Sequence, residues 1–329
     1  NATVLTLSGT AATNVTVRVY DGATLLGSVG TDASGNWSFA TGTLGTGVHS
    51  FTSTATDSSG NTGAASAALV ITIDTTAPGA PAISGYTPDS GTVGDGITNA
   101  TMLTLSGTAE ANSTVKIYDG AAQVGVATAN ANGNWSTSTS TLAVGSHNLT
   151  AKATDAAGNT GVASSALTVT IDITAPGAPA ISGYTPDSGT VGDGITSANV
   201  LTLSGTAEAN STVKVYDGAT QVGIATVGTN GNWSTSTSTL AVGSHNLTAK
   251  ATDAAGNTSV ASSTLSITID STAPGAPTIT SYSPDTGTPG DGITSANVLT
   301  LSGTAEANST VKVYDGATLL GSVAANGSG

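Results

Sequence analysis

The strongest constraint on this chain is an internal repeat of fixed length. Trp37, Trp135 and Trp233 lie 98 residues apart, as do Asp74 and Asp172. The chain therefore holds about three and a third copies of a unit of ordinary domain size. It begins and ends inside a copy, so we expect a window on a longer array. We predict repeats at residues 1–76 (lacking a first strand), 77–174, 175–272 and 273–329 (lacking C-terminal strands).

Within one repeat, short alternating stretches are separated by turn residues. Val115 and Ile117 share one face while Lys116 takes the other, and Asp119-Gly120 is typical of a tight hairpin turn. In the second repeat the predicted strands are 81–86, 102–106, 114–118, 123–128, 135–140, 147–154 and 167–171. No segment has helical periodicity. Seven such strands predict an all-β fold, an immunoglobulin-like sandwich of two antiparallel sheets, with the repeats arranged in a linear rod.

Composition excludes several classes of function. The net charge is −14 with only six basic residues, so nucleic acid is not an expected partner. No apolar run approaches the roughly 18–20 residues of a membrane helix, so no membrane insertion is expected in this segment. Cysteine is absent, so disulfides do not hold the repeats together. No catalytic triad, phosphate loop or paired acid/base motif is present, and we interpret the chain as non-enzymatic.

Acidic residues recur at fixed turn positions of the repeat, as metal ligands do. Nineteen of the twenty occupy six such positions, and only Asp32 lies outside them. One predicted set of ligands lies at the repeat boundaries: Asp74, Asp172, Asp270, Glu110, Glu208, Glu306, Asp155 and Asp253. A second predicted set lies in loops within each repeat: Asp89, Asp95, Asp119, Asp187, Asp193, Asp217, Asp285, Asp291 and Asp315.

Because strand direction alternates, successive loops lie at opposite ends of a sandwich. We call the end where the first strand starts the leading end and the opposite end the trailing end. Asp172 falls at a trailing end, whereas Glu208 and Asp253 fall at the leading end of the next repeat. Three carboxylates converging within about 4–6 Å repel by about 3–4 kcal/mol per pair at an effective dielectric near 20. The lysines and the arginine all lie mid-strand. We therefore predict that calcium, which prefers all-oxygen ligands, binds at the boundaries.

The competing interpretation is ordinary turn chemistry, because Asp caps turns without any metal. This metal-free interpretation is stronger for the second set, the aspartates in loops within each repeat, because their Asp-Ser-Gly and Gly-Asp-Gly sequences are common in loops. Ala12 replaces the glutamate of the other repeats, so a weaker site is expected in the first repeat. The three histidines are expected at the edge of the core and not as zinc ligands. The tryptophans are expected in the core, with a sugar-stacking platform as the alternative.

Several motifs recur in fixed order: IDITAP at 171–176, LSGTAE at 203–208, VYDG at 215–218, NGNWS at 230–234 and ATDAAGN at 251–257. Over the whole chain, this pattern resembles the bacterial Ig-like repeats of giant surface adhesins and biofilm-associated proteins. The resemblance implies an extracellular rod at the bacterial cell surface, stiffened by calcium between domains. It also implies a stalk that supports cell adhesion or biofilm formation.

Two functions from different classes remain open at this point. The first is a structural spacer whose partners are the neighbouring repeats of the same chain, with lateral or end-to-end association with other copies left open. The second is an array of carbohydrate-binding modules that grip matrix polysaccharide. The low aromatic content of 4% favours the spacer, because sugar platforms ordinarily need several exposed aromatic side chains.

Overall fold

A computed structural model describes all residues from 1 to 329, and every regular element in it is a β-strand. The first repeat contains β1 Thr6–Thr10, β2 Thr16–Asp21, β3 Thr24–Gly30, β4 Asn36–Ala40, β5 Gly47–Thr56 and β6 Leu69–Ile73. The second contains β7 Ala82–Thr87, β8 Ile97–Thr98, β9 Thr104–Thr108, β10 Thr114–Asp119, β11 Ala122–Thr128, β12 Asn134–Ser138, β13 Gly145–Thr154 and β14 Leu167–Ile171. The third contains β15 Ala180–Thr185, β16 Ile195–Thr196, β17 Thr202–Thr206, β18 Thr212–Asp217, β19 Thr220–Thr226, β20 Asn232–Ser236, β21 Gly243–Thr252 and β22 Leu265–Ile269. The remaining residues contain β23 Thr278–Ser283, β24 Thr300–Thr304, β25 Thr310–Asp315 and β26 Thr318–Ala324.

Each complete repeat consists of two sheets. In the second repeat one sheet has the order β7-β9-β12, and the other has the order β11-β10-β13-β14-β8. The third repeat has the same two sheets, β15-β17-β20 and β16-β22-β21-β18-β19. All pairs are antiparallel except β8 with β14 and β16 with β22, which are parallel. The predicted all-β fold of tandem immunoglobulin-like sandwiches is confirmed.

The structure adds one strand that the sequence pattern did not predict. Ile97–Thr98 forms β8, which pairs with the end of β14. Two residues are too few to show an alternating pattern, and the pairing depends on a backbone brought alongside by the rest of the sandwich. The seven strands predicted in this repeat all have a counterpart, with ends that differ by a few residues.

The core of each complete repeat lies between its two sheets. Val115, Ile117 and Leu149 are fully buried, as the alternation predicted. Trp135 is 4% exposed and Trp233 is 3% exposed, so the expected core position of these tryptophans is confirmed. Burial of this apolar surface stabilises each sandwich by itself, at roughly 25 cal/mol per Å² removed from water.

Every sheet takes its strands from a single predicted repeat. Consequently, neighbouring repeats share no strand pairing, and the loops at their ends make the contacts between them. The linear rod and the boundaries at residues 76, 174 and 272 stay predictions. No helix long and apolar enough to cross a membrane is present.

Candidate functional site at the joints between repeats

The loop that follows β13 is closed by an aspartate and an asparagine four residues later. The backbone N–H of Asn159 donates to Asp155 Oδ1 over 2.9 Å, and Asn159 Nδ2 donates to Asp155 Oδ2 over 2.8 Å. The side-chain bond from Asn159, with the backbone bonds, lowers the pKa of Asp155 although partial burial opposes this. The loops after β5 and β21 repeat the arrangement with Asp57–Asn61 and Asp253–Asn257. Each loop therefore holds its asparagine amide in a fixed orientation.

The same amide also reaches the preceding repeat. Asn159 Nδ2 donates to the backbone carbonyl of Asp74 over 3.1 Å. One repeat later, Asn257 Nδ2 donates to the carbonyl of Asp172 over 2.8 Å. A primary amide has two N–H donors, so one binds the carboxylate in its own loop while the other binds across the joint. We call this arrangement the amide clamp. It occurs at the joint between the first and second repeats and at the joint between the second and third.

A second set of contacts lies at the joint between the second and third repeats. Ser90 Oγ donates to the carbonyl of Ala255 over 2.6 Å, and the Thr92 N–H donates to the carbonyl of Ala254 over 2.9 Å. Gly91 lies between them with a φ of +74°, and a Cβ at this position would overlap the Ala254 carbonyl oxygen. Only glycine permits this approach of one backbone to the other.

The structure brings together two of the three acidic residues predicted to meet at this joint. Asn257 Nδ2 bridges the backbone carbonyl of Asp172 and the carboxylate of Asp253, and both oxygens lie within 2.9 Å of it. The exposed carboxylate of Glu208 has no hydrogen bond, and its backbone carbonyl accepts from Ser211. The other glutamates, Glu110 and Glu306, lie in equivalent turns, where their backbone carbonyls accept from Ser113 and Ser309. No group of three or more His, Cys, Asp or Glu residues forms a cluster that could hold a metal ion.

The aspartates after the first strand of a repeat are bound by their own loop. Tyr86 Oη donates to Asp89 Oδ1 over 3.0 Å, and the Gly94 N–H donates to Asp89 Oδ2 over 2.7 Å. Asp95 Oδ1 accepts from the backbone of the next strand. Burial, the bond to Asp89 and the nearby charges raise the pKa of Tyr86 to about 12. Four further members of the second set lie in equivalent loops: Asp187, Asp193, Asp285 and Asp291.

Asp119 is engaged with a histidine. His147 Nδ1 lies 2.7 Å from Asp119 Oδ2, and its Nε2 lies 2.8 Å from the carbonyl of Ala143. Both partners are acceptors, so both ring nitrogens must donate, which requires the imidazolium cation. Burial opposes the charge, but the carboxylate and the carbonyl outweigh it and raise the pKa of His147. His49 pairs with Asp21, and His245 pairs with Asp217 in the same way.

The expected position of the histidines at the edge of the core is confirmed, because His147 and His245 are buried. The carboxylate partner was not predicted, although its signal is visible as an Asp-to-His spacing of 28 residues in three repeats. The asparagines of the amide clamp were missed as well. Their signal is an Asp-x-x-x-Asn pattern at 57–61, 155–159 and 253–257.

The oxygen atoms at the joints are of the type that calcium binds. Calcium takes 6–8 oxygen ligands from carboxylates, carbonyls and water. Asp172, Asp253 and the adjoining backbone carbonyls are such oxygens, and Asp172 Oδ1 also accepts from the Thr174 N–H over 2.9 Å. The amide of Asn257 binds the carboxylate of Asp253 and only the backbone carbonyl of Asp172, so it leaves the carboxylate of Asp172 without a partner from the next repeat. Calcium binding stays a prediction for both sets of ligands.

Three segments of the chain match one protein family. Residues 1–75, 79–173 and 177–271 match the model of the bacterial Ig-like domain. The chain belongs to the bacterial Ig-like domain family. The predicted family is thereby confirmed, and the three matched segments agree with the 98-residue period.

Individual proteins similar to these bacterial Ig-like repeats include an enzyme and two solved structures. Exoglucanase B of Cellulomonas fimi is 32% identical over 289 residues, which cover 81% of this chain and 24% of the relative. The chain thus spans about a quarter of the length of this curated relative. A structure of a 1.5-MDa bacterial ice-binding adhesin is 21% identical, covering 81% of this chain and 90% of that chain, with a TM-score of 0.33. The fibronectin(III)-like modules of Clostridium thermocellum CbhA are 18% identical, covering 57% and 93%, with a TM-score of 0.39. At these TM-scores neither structure bears on function.

Proposed function

We propose that this chain is an extracellular structural spacer of a bacterial adhesin or surface filament, and that it supports cell adhesion or biofilm formation without enzymatic activity. The observation that carries the proposal is the amide clamp. Asn159 binds Asp74, and Asn257 binds Asp172 by the same contact 98 residues later. An array that repeats its joint as faithfully as its core has the properties of a spacer.

The contrast between the well-packed cores and the sparsely bonded joints also supports this role. Each complete sandwich has its own buried core, with Leu149 in the second repeat and Leu247 in the third fully buried. The joints depend on a few hydrogen bonds and on the close approach of Gly91 to the next repeat. Stability therefore resides in the repeats, while the loops at their ends control stiffness.

We further propose that calcium stiffens the joints, with Asp172, Glu208 and Asp253 as ligands at the second joint and their equivalents elsewhere. In support, the proposed ligand atoms are all oxygens, and the backbone carbonyl of Asp172 and the carboxylate of Asp253, from adjoining repeats, bind the same amide. When bound, the cation would neutralise charge contributed by both repeats. The amide clamp orients Asp253 toward the joint.

The test is small-angle scattering of the full chain with calcium and with EDTA. Calcium is expected to increase the average end-to-end distance and the melting temperature, whereas circular dichroism remains that of a β protein. At a hundredfold excess over the dissociation constant, binding stabilises by about 2.7 kcal/mol. Asp172→Asn should remove most of the calcium effect at its joint.

Asp270→Asn is the matched control for this test. Asp270 accepts the same turn hydrogen bond, from Thr272 over 2.9 Å, but binds no loop of a following repeat in this chain. If calcium and chelator leave the scattering unchanged, the calcium proposal is wrong and the acidic positions are turn chemistry. The spacer proposal itself fails if the repeats prove to pack side by side.

The second candidate function is an array of carbohydrate-binding modules. The observation in its favour is the similarity to exoglucanase B, whose name identifies an enzyme acting on a polysaccharide. Trp135 and Trp233 are buried, so their rings are not available to stack against a sugar. Binding of neutral glucans by the intact chain on a glycan array would favour this candidate over the spacer.

A further inference from the structure

Four of the six basic residues form two cross-strand pairs. Lys116 on β10 lies directly opposite Lys152 on β13, and Lys214 lies directly opposite Lys250 one repeat later. The inward neighbours of Lys116 are the buried Val115 and Ile117, so the lysines project from the outer face of the five-stranded sheet. We call each pair a lysine dyad.

No carboxylate of the chain neutralises these dyads. The ion pairs of the structure are the three His–Asp pairs, and no lysine or arginine takes part in one. This holds although the chain has 20 acidic residues. Like charges directly opposite each other across two strands are destabilising. Both complete repeats keep this unfavourable arrangement, which an external anion would relieve.

In the second repeat, the surroundings of the dyad consist mainly of uncharged polar and aromatic groups. Lys152 Nζ lies 6.0 Å from the centre of the Tyr118 ring, which attracts the ammonium group. Tyr118 lies opposite Thr150, and on the same face Thr168 Oγ1 donates to Asn148 Oδ1 over 2.8 Å. The nearby carboxylate of Asp119 binds His147. Two cations thus lie among hydroxyl and amide groups.

We propose that each lysine dyad binds a carboxylate group of an acidic polysaccharide, with the neighbouring hydroxyl and amide groups available to sugar hydroxyls. Charge complementarity argues for an anion. The chain itself is a poor alternative occupant, because most of its aspartate carboxylates already accept hydrogen bonds within their own turns. A polymer can also engage both dyads of one chain, which raises its apparent affinity.

This inference goes beyond the spacer role and does not depend on the joints. The test is electrophoresis of the full chain through native gels that contain polygalacturonate, with dextran gels as the neutral reference. The double variant Lys116→Gln with Lys152→Gln removes one dyad. Arg18→Gln with Lys312→Gln is the matched control, because it removes the same two charges. Arg18 faces Thr54, and Lys312 has no lysine opposite it.

Retardation by polygalacturonate is expected for the unmodified chain and for the control. In the dyad variant apparent affinity should fall by about fivefold or more, since each exposed ion pair contributes up to about 1 kcal/mol. Removal of all four dyad lysines should abolish retardation. Equal loss in the dyad and control variants overturns the proposal, as does equal retardation in dextran gels. Equal retardation by polyglutamate would also overturn it, since the occupant would then be an acidic polypeptide.

Discussion

Replacement of Asn257 by alanine isolates the contribution of the amide clamp to one joint. The substitution removes the bond from Nδ2 to the carbonyl of Asp172 and the bond to Asp253 within the loop. Asn61→Ala is a matched control. Asn61 makes the same bonds to Asp57, both at 2.9 Å, but its side chain binds no preceding repeat.

The difference between the two variants is the bond across the joint. A neutral hydrogen bond contributes about 1 kcal/mol net, and the Asp172 carbonyl also loses a partner. About 1 kcal/mol changes the ratio of closed to open joints by a factor of about five. The sandwich cores lie outside the substituted loop, so we expect no loss of β-structure.

Hydrogen exchange followed by mass spectrometry measures this opening directly. The Thr92 N–H donates to Ala254 across the same joint, so exchange in the segment around Thr92 reports whether the joint is closed. Asn257→Ala should speed this exchange about fivefold, whereas Asn61→Ala should leave it unchanged. Identical exchange at this segment in both variants would refute the role assigned to the clamp.

Three further predictions follow from other parts of the fold. The pKa of His147 is raised, so its ion pair contributes fully below the unfolded value of 6.5 and is lost as pH rises through the folded pKa. This contribution to the free energy of unfolding is about 1 kcal/mol or less, because the pair is partly solvated. His147→Gln should remove it, so that denaturation curves at pH 6 and pH 9 no longer differ by this amount for the second repeat. Gly91→Ala should loosen the second joint in hydrogen exchange, whereas Gly189→Ala, with a similar φ and no neighbour within 4 Å, should not. Leu149→Ala should destabilise its repeat by about 2–5 kcal/mol in urea unfolding, and Val126→Ala, at a 53% exposed position, by less than about 0.5 kcal/mol.

The sequence by itself determined the strands and the two faces of each. Alternation of Val115, Lys116 and Ile117 specifies which side chains enter the core, because the side-chain period of a strand is two residues. The exact spacing of Trp37, Trp135 and Trp233 specified the tandem repeat. These features are local or periodic, so they can be read without coordinates.

Only the tertiary structure decided which groups meet at the joints. Sequence reasoning expected Glu208 beside Asp172 and Asp253. In the structure Asn257 links the backbone carbonyl of Asp172 to the carboxylate of Asp253, and Glu208 is exposed. The pairings of Asp119 with His147 and of Lys116 with Lys152 have the same character, since each links different strands. A pattern along the chain shows where a side chain leaves the backbone. Its partner depends on strand register and on the packing of one repeat against the next, which arise only in the folded molecule.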